Sequence, residues 1–144
     1  MQTIPEYMTN KHEKCDEHFA TAEQQVSKGN WEEANTAFNE FLNATERHFL
    51  MEEEVLFRHL ERTMGNSGGP IAVMRMEHSQ MRSLLKTMAA TLARKDKDGF
   101  LGDAETLLIM MQQHNMKEEQ IVYPMAERIL GTGQEQVIAE MESH

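Results

Sequence analysis

Histidine and glutamate residues recur in this chain at a repeated spacing that could bind metal ions. His12 lies 36 residues before His48, which is followed four residues later by Glu52. The same residue types return at the same spacing 66 residues further along, as His78, His114 and Glu118. Imidazole nitrogen suits iron, zinc or copper, and carboxylates can bridge two cations and balance their charge. The six residues therefore predict a site for two metal ions.

These ligands need helices to bring them together. A spacing of four residues, as between His48 and Glu52, places two side chains about 5–6 Å apart at Cβ on one helical face. Apolar residues follow a helical period, and no strand pattern competes with it. Four helices are expected at about 7–27, 30–64, 70–94 and 98–130, followed by a short tail over 131–144.

Local signals mark the ends of these helices. Asn30 is a preferred N-cap residue, and Glu33 three positions later would complete a capping box. Pro70 suits the first position of the third helix, and Asp96 or Asp98 would cap the fourth. Glycine-rich residues 65–70 form the clearest predicted loop.

The helix lengths predict one level for all four histidines. His12 and His48 lie at similar distances from the turn near residue 29, and His78 and His114 from the turn near residues 94–98. Antiparallel helices would therefore bring the four imidazoles together. We predict an all-α fold, an antiparallel up-down four-helix bundle with a two-metal site in its core. Residues 1–144 are expected to form one domain, with the bundle over about 7–130.

Composition narrows the functional class. The net charge of -10 disfavours nucleic acid and anionic membranes as partners. No apolar run approaches the roughly 20 residues of a membrane span, and the first residues do not resemble a signal peptide. The single cysteine fits a reducing compartment, so a cytoplasmic protein is expected.

The motifs around these residues resemble those of a known family. Residues 48–53 (HFLMEE) and 114–119 (HNMKEE), the latter followed by Tyr-Pro at 123–124, are similar to the repeated H-x-x-x-E-E motif of hemerythrin-like (HHE cation-binding) domains. Residues 77–82 (EHSQMR) resemble the third-helix motif, and residues 12–16 (HEKCD) the first. The resemblance covers residues 8 to about 130.

The resemblance implies a non-haem di-iron centre with an oxo or hydroxo bridge. His12 and His48 would bind one iron, His78 and His114 the other, and Glu52 and Glu118 would bridge them. An open coordination position would bind dioxygen, nitric oxide or hydrogen peroxide.

Two departures from the animal oxygen carriers bear on function. Those proteins have a second histidine four residues after the third-helix histidine, where this chain has Arg82, and an aspartate five residues after the last histidine, where this chain has Glu118 at four. These departures weigh against simple reversible oxygen carriage. The favoured function is binding of dioxygen or nitric oxide in oxygen or redox sensing or handling. A di-iron peroxidase or catalase and an iron-storage or iron-handling protein are the alternatives, so enzymatic activity stays open.

Several neighbouring residues allow two interpretations. Cys15 fits a small core residue better than a redox-active thiol. Asp16 fits a solvated or ion-paired residue, with Arg82 as a plausible partner across the bundle, better than an extra ligand. His59 fits core packing or a gate better than ligation.

Three residues inside the motifs also allow two interpretations. Glu53 and Glu119 could accept hydrogen bonds from ligand histidines or face solvent. Tyr123 could donate to the site, although packing is the favoured interpretation.

Overall fold

The computed structural model describes residues 2–65 and 69–144. Its α-helices are α1 (Ile4–Lys28), α2 (Trp31–Met51), α3 (Phe57–Met64), α4 (Pro70–Ala93), α5 (Lys97–Lys117), α6 (Tyr123–Leu130) and α7 (Gln134–Ser143). Two π-helical turns, Glu52–Leu56 and Glu118–Val122, join α2 to α3 and α5 to α6. The described residues contain no β-strand, so the all-α prediction is confirmed.

The long helices form a four-helix bundle. Helix α1 packs against α2 and α5, and α4 packs against α5 and α2. Short turns join α1 to α2 and α4 to α5, so each of these pairs runs antiparallel. Helix α7 returns to pack against α1 and the first π turn. No helix in the described part of the chain combines the length and apolar composition needed to cross a membrane.

The histidines lie between two apolar clusters. One cluster contains Met8 and Met74, and the other contains Phe19 and Met81. Along both α1 and α4, the predicted ligand histidine therefore lies between a residue of the first cluster and a residue of the second. Burying these side chains stabilises the fold on both sides of one polar layer. The predicted common level of the histidines follows from this packing.

Helix α1 begins earlier than its sequence pattern indicated. It starts at Ile4, three residues before the predicted Tyr7, because Thr3 and Glu6 form a capping box. The Thr3 hydroxyl accepts a hydrogen bond from the Glu6 backbone N–H, and the Glu6 carboxylate accepts one from the Thr3 backbone N–H.

The capping box gives a stability prediction. Thr3→Ala should lower the free energy of unfolding by about 1 kcal/mol, since it leaves a helix N–H without its acceptor. Urea unfolding of the metal-free protein would measure the change. The matched control is Thr21→Ala in the exposed middle of α1, where alanine is favourable for the helix and no cap is lost. An equal loss in both variants would contradict the role of the box.

The other end signals had mixed outcomes. Pro70 opens α4 and the Asp96 carboxylate accepts from the Gly99 N–H, as predicted. The predicted capping box at Asn30 does not form, because the Asn30 side chain caps no helix N–H and instead donates to Gln25 Oε1. Residues 66–68 of the predicted loop lie outside the described residues.

Candidate metal centre

The structure brings the six predicted ligand residues together in the core. Their side-chain donor atoms fall into two groups, and within each group the atoms lie within 4.8 Å of one another. One group is His12, His48, Glu52 and Glu118, and the other is Glu52, His78, His114 and Glu118. The two carboxylates belong to both groups. They lie between a first half-site (His12 and His48) and a second half-site (His78 and His114).

The imidazole Nε2 atoms face the carboxylates at similar distances. Each lies 3.0 to 3.4 Å from a carboxylate oxygen: His12 from Glu118, His48 from Glu52, His78 from Glu52, and His114 from Glu118. Such separations suit atoms that share one cation at about 2.0–2.2 Å from each. The two groups of donor atoms match the predicted division of the histidines, His12 with His48 and His78 with His114, and their role as ligands stays a prediction.

Three of the histidines are oriented by a carboxylate on their outer nitrogen. The Nδ1–H groups donate to carboxylates at 2.7 to 2.8 Å: His12 to Glu119, His78 to Glu53, and His114 to Glu77. Such partners fix the imidazole tautomer and leave Nε2 free for a metal. The hydrogen-bonding interpretation of Glu53 and Glu119 is confirmed. Glu77 was not singled out beforehand, although it directly precedes a predicted ligand.

Several inward-facing atoms are buried without a hydrogen-bond partner among the described residues. They are Nε2 of His48, His78 and His114, Oε1 of Glu52 and Oε2 of Glu118. A buried polar atom without a partner costs about 1–3 kcal/mol. Coordination of cations at the centre would satisfy all five atoms at once. The donor set therefore fits two cations that accept both nitrogen and oxygen ligands.

The carboxylates also raise the pKa values of the imidazoles in the metal-free protein. Burial alone would lower the pKa of His48, but the charge of Glu52 and the nearby carboxylate of Glu118 raise it well above its usual range. Burial opposes the rise at His78 too, where the facing carboxylate of Glu52 and the hydrogen bond to Glu53 raise the pKa to about 9. Protons on these histidines thus help to balance the negative charge at the centre of the site.

Glu118 is held ionised despite its position. Burial alone would raise its pKa, but the adjoining side chains of Glu52, His114, His12 and His48 hold the pKa well below its usual range. A buried carboxylate that stays charged is available to a cation.

Tyr123 reaches the centre of the site, so its interpretation as packing only is wrong. Its hydroxyl donates to Glu52 Oε2 and Glu118 Oε1 and lies 3.1 Å from His12 Nε2. In an α-helix a residue five after Glu118 would point about 140° away. The π turn, with its i to i+5 hydrogen bonds, brings such residues onto one face. Burial, then the nearby carboxylates, raises the pKa of Tyr123 well above its usual range, so the phenol stays a donor.

The predicted charge pair between Asp16 and Arg82 does not form. Arg82 instead donates to both Glu46 and Glu53 and lies over the Phe49 ring, with its guanidinium carbon 5.1 Å from the ring centroid. It therefore positions Glu53, the carboxylate that orients His78. Asp16 lines a surface groove, where burial raises its pKa.

The remaining candidates lie outside the ligand layer. Cys15 packs beside the second apolar cluster, and burial raises the pKa of its thiol, which favours the core interpretation over a reactive thiolate. His59 is half-buried and lies outside both apolar clusters. Its Nε2 lies 2.8 Å from Glu140 of α7, so it contacts the tail helix.

Two cavities adjoin the first half-site. A groove of about 520 Å³ between α1 and α5 is lined by His12, Asp16, Glu119 and neighbouring residues. An inner cavity of about 20 Å³ is lined by His12, His48, Thr45 and neighbouring residues. His12 and Asp16 line both cavities, so the groove leads toward the inner one.

Comparison with known proteins bears on this site. Residues 3–126 match the model of the hemerythrin HHE cation-binding domain, and the match includes all six converging residues. The searches of curated proteins and of solved structures found no match.

Proposed function

Since this chain belongs to the hemerythrin HHE cation-binding domain family, we propose that it holds two non-haem iron ions in its core and binds dioxygen or nitric oxide there. In this proposal each half-site holds one iron, and Glu52 and Glu118 contribute to both. The observation that carries the proposal is the set of buried nitrogen and oxygen atoms that face one centre without hydrogen-bond partners among the described residues.

The donor set accommodates iron along with other first-row metals. Imidazole and carboxylate together suit first-row metals, and geometry and availability select among them. Bound iron would supply redox chemistry toward dioxygen that no side chain in the site offers. The chain's own residues orient three of the imidazoles through carboxylates and donate hydrogen bonds from the Tyr123 hydroxyl to the central carboxylates.

The size of the inner cavity supports a very small ligand. A cavity needs roughly 10–15 Å³ to hold one water molecule, and this one has about 20 Å³. It has room for a molecule the size of water or a diatomic gas, and an organic substrate does not fit. Its lining by His12 and His48 would place such a ligand beside the first half-site.

One observation favours a second candidate function. The Tyr123 hydroxyl donates to both central carboxylates, and a phenol in that position could deliver protons during reduction of hydrogen peroxide. A peroxidase or catalase would need such a donor more than a sensor would.

Metal loading tests the proposal. Protein loaded anaerobically with ferrous iron should retain two irons per chain, and exposure to air or nitric oxide should change its near-ultraviolet and visible spectrum. Protein loaded with Zn²⁺, which has no redox chemistry, is the control and should show no such change. Rapid repeated consumption of hydrogen peroxide would favour the second candidate. Absence of bound iron, or one zinc ion alone, would overturn both.

A further inference from the structure

His48 differs from the other three histidines of the site in its outer nitrogen. Its Nδ1 is buried and has no hydrogen-bond partner among the described residues, whereas the other three Nδ1 atoms each face a carboxylate. An acceptor on Nδ1–H fixes the ring and makes Nε2 more basic. The first half-site therefore has one fully supported imidazole, and the second half-site has two.

The 66-residue repeat identifies the cause. The acceptor of His114 is Glu77, and the residue at the matching position in the first half is Lys11. A lysine ammonium has donors and no acceptor, so it cannot take the Nδ1–H of His48. The Lys11 ammonium lies instead over the ring of Tyr7, 5.1 Å from its centroid.

The half-sites also differ in enclosure. His78 has no exposed surface, and its ring stacks on Phe49 at a centroid distance of 4.0 Å and on Phe57 at 5.8 Å. The first half-site is less sealed, because His12 lines the surface groove and His48 lines the inner cavity. The first half-site thus lies closer to solvent than the second.

From these three differences we infer that the half-sites bind metal unequally, and that Lys11 sets much of the difference. The second half-site fills first and releases its cation slowly, whereas the first half-site holds an exchangeable cation. This inference rests on the metal site of the proposed function. Loss of an outer-shell partner typically lowers metal affinity about 10–100-fold, and that range sets the expected gap.

Titration of metal-stripped protein with Zn²⁺ against a competing chelator would test the inference. We expect two binding steps at least about 10-fold apart in affinity. Lys11→Glu should strengthen the weaker step about 10-fold and bring the two steps together. The matched control is Lys14→Glu, the same charge change at an exposed position of the same helix, which should leave the ratio of the steps unchanged.

The reciprocal variant and a structure complete the test. Glu77→Gln should weaken the stronger step, because the amide cannot supply the carboxylate charge. Anomalous scattering from crystals grown with one equivalent of Zn²⁺ should place the ion between His78 and His114.

The contrary outcomes separate this inference from the proposed function. Two equal steps in the unmodified protein, an unchanged ratio in Lys11→Glu, or a first ion between His12 and His48 would overturn the inference alone. Failure to bind any cation would overturn the proposed function and this inference with it.

Discussion

Glu118→Ala should remove at least one of the two metal ions and destabilise the metal-free protein. Glu118 Oε1 lies 3.0, 3.3 and 4.0 Å from the Nε2 atoms of His12, His114 and His48. Because the carboxylate belongs to both groups of donor atoms, alanine takes an oxygen ligand from each. Metal analysis after loading and desalting should show the content fall from two ions per chain to one or none.

The same change also removes a buried counter-charge. Breaking a buried ion pair by deleting one partner costs about 3–5 kcal/mol, and in the metal-free protein the imidazolium groups would lose their shared anion. Urea unfolding at pH 6 would measure that loss.

Controls make the Glu118 result specific. Glu127→Ala removes an exposed carboxylate from α6, the helix that follows the π turn containing Glu118, and should leave metal content and stability nearly unchanged. Glu52→Ala should behave like Glu118→Ala, because Glu52 belongs to both groups as well. Two tightly bound ions in both alanine variants would show that these carboxylates are not ligands.

The fold and the six converging residues could be predicted because their signals are local and repeated. Helical periodicity, Gly29 and Pro70 place the helices without knowledge of their packing. A four-residue spacing such as His114 to Glu118 fixes two side chains on one face. The match of the two halves then indicates which faces meet.

Tyr123 could not be placed in this way. Its contact with Glu118 depends on a π turn, and neither of the two π turns has a recognisable sequence signal. With α-helical geometry alone, the phenol projects away from the site.

The outer carboxylates mark a second limit of sequence reasoning. In a four-helix bundle built from the sequence alone, several acidic residues could pair with Arg82. Only the packing in the structure shows that it pairs with Glu46 and Glu53. The unsupported nitrogen of His48 was equally hidden. It becomes visible when the structure shows Glu77 on His114, and the repeat then points to Lys11.

Metal binding at pH 7 should release at least about two protons per chain. The pKa values of His48, His78 and His114 are all raised in the metal-free protein. Burial alone would lower them, but the central carboxylates outweigh this effect. His48 and His78, which have the large shifts, are therefore protonated at pH 7 and must lose their protons to bind a metal. Calorimetric titration with Zn²⁺ in two buffers of different ionisation enthalpy would count the protons.

The raised histidine pKa values also determine how the stability of the metal-free protein changes with pH. A raised histidine pKa stabilises the metal-free fold below the unfolded value of about 6.5, and this stability is lost as pH rises through the folded value. For His78, whose pKa is about 9, the loss is on the order of 3 kcal/mol between pH 6.5 and 9.5. Metal-loaded protein, with its imidazoles already neutral, should show no such fall, and its affinity for metal should rise over that range. Urea unfolding of both forms across this range checks the sign, and a metal-free protein that gained stability with rising pH would contradict the assigned charges.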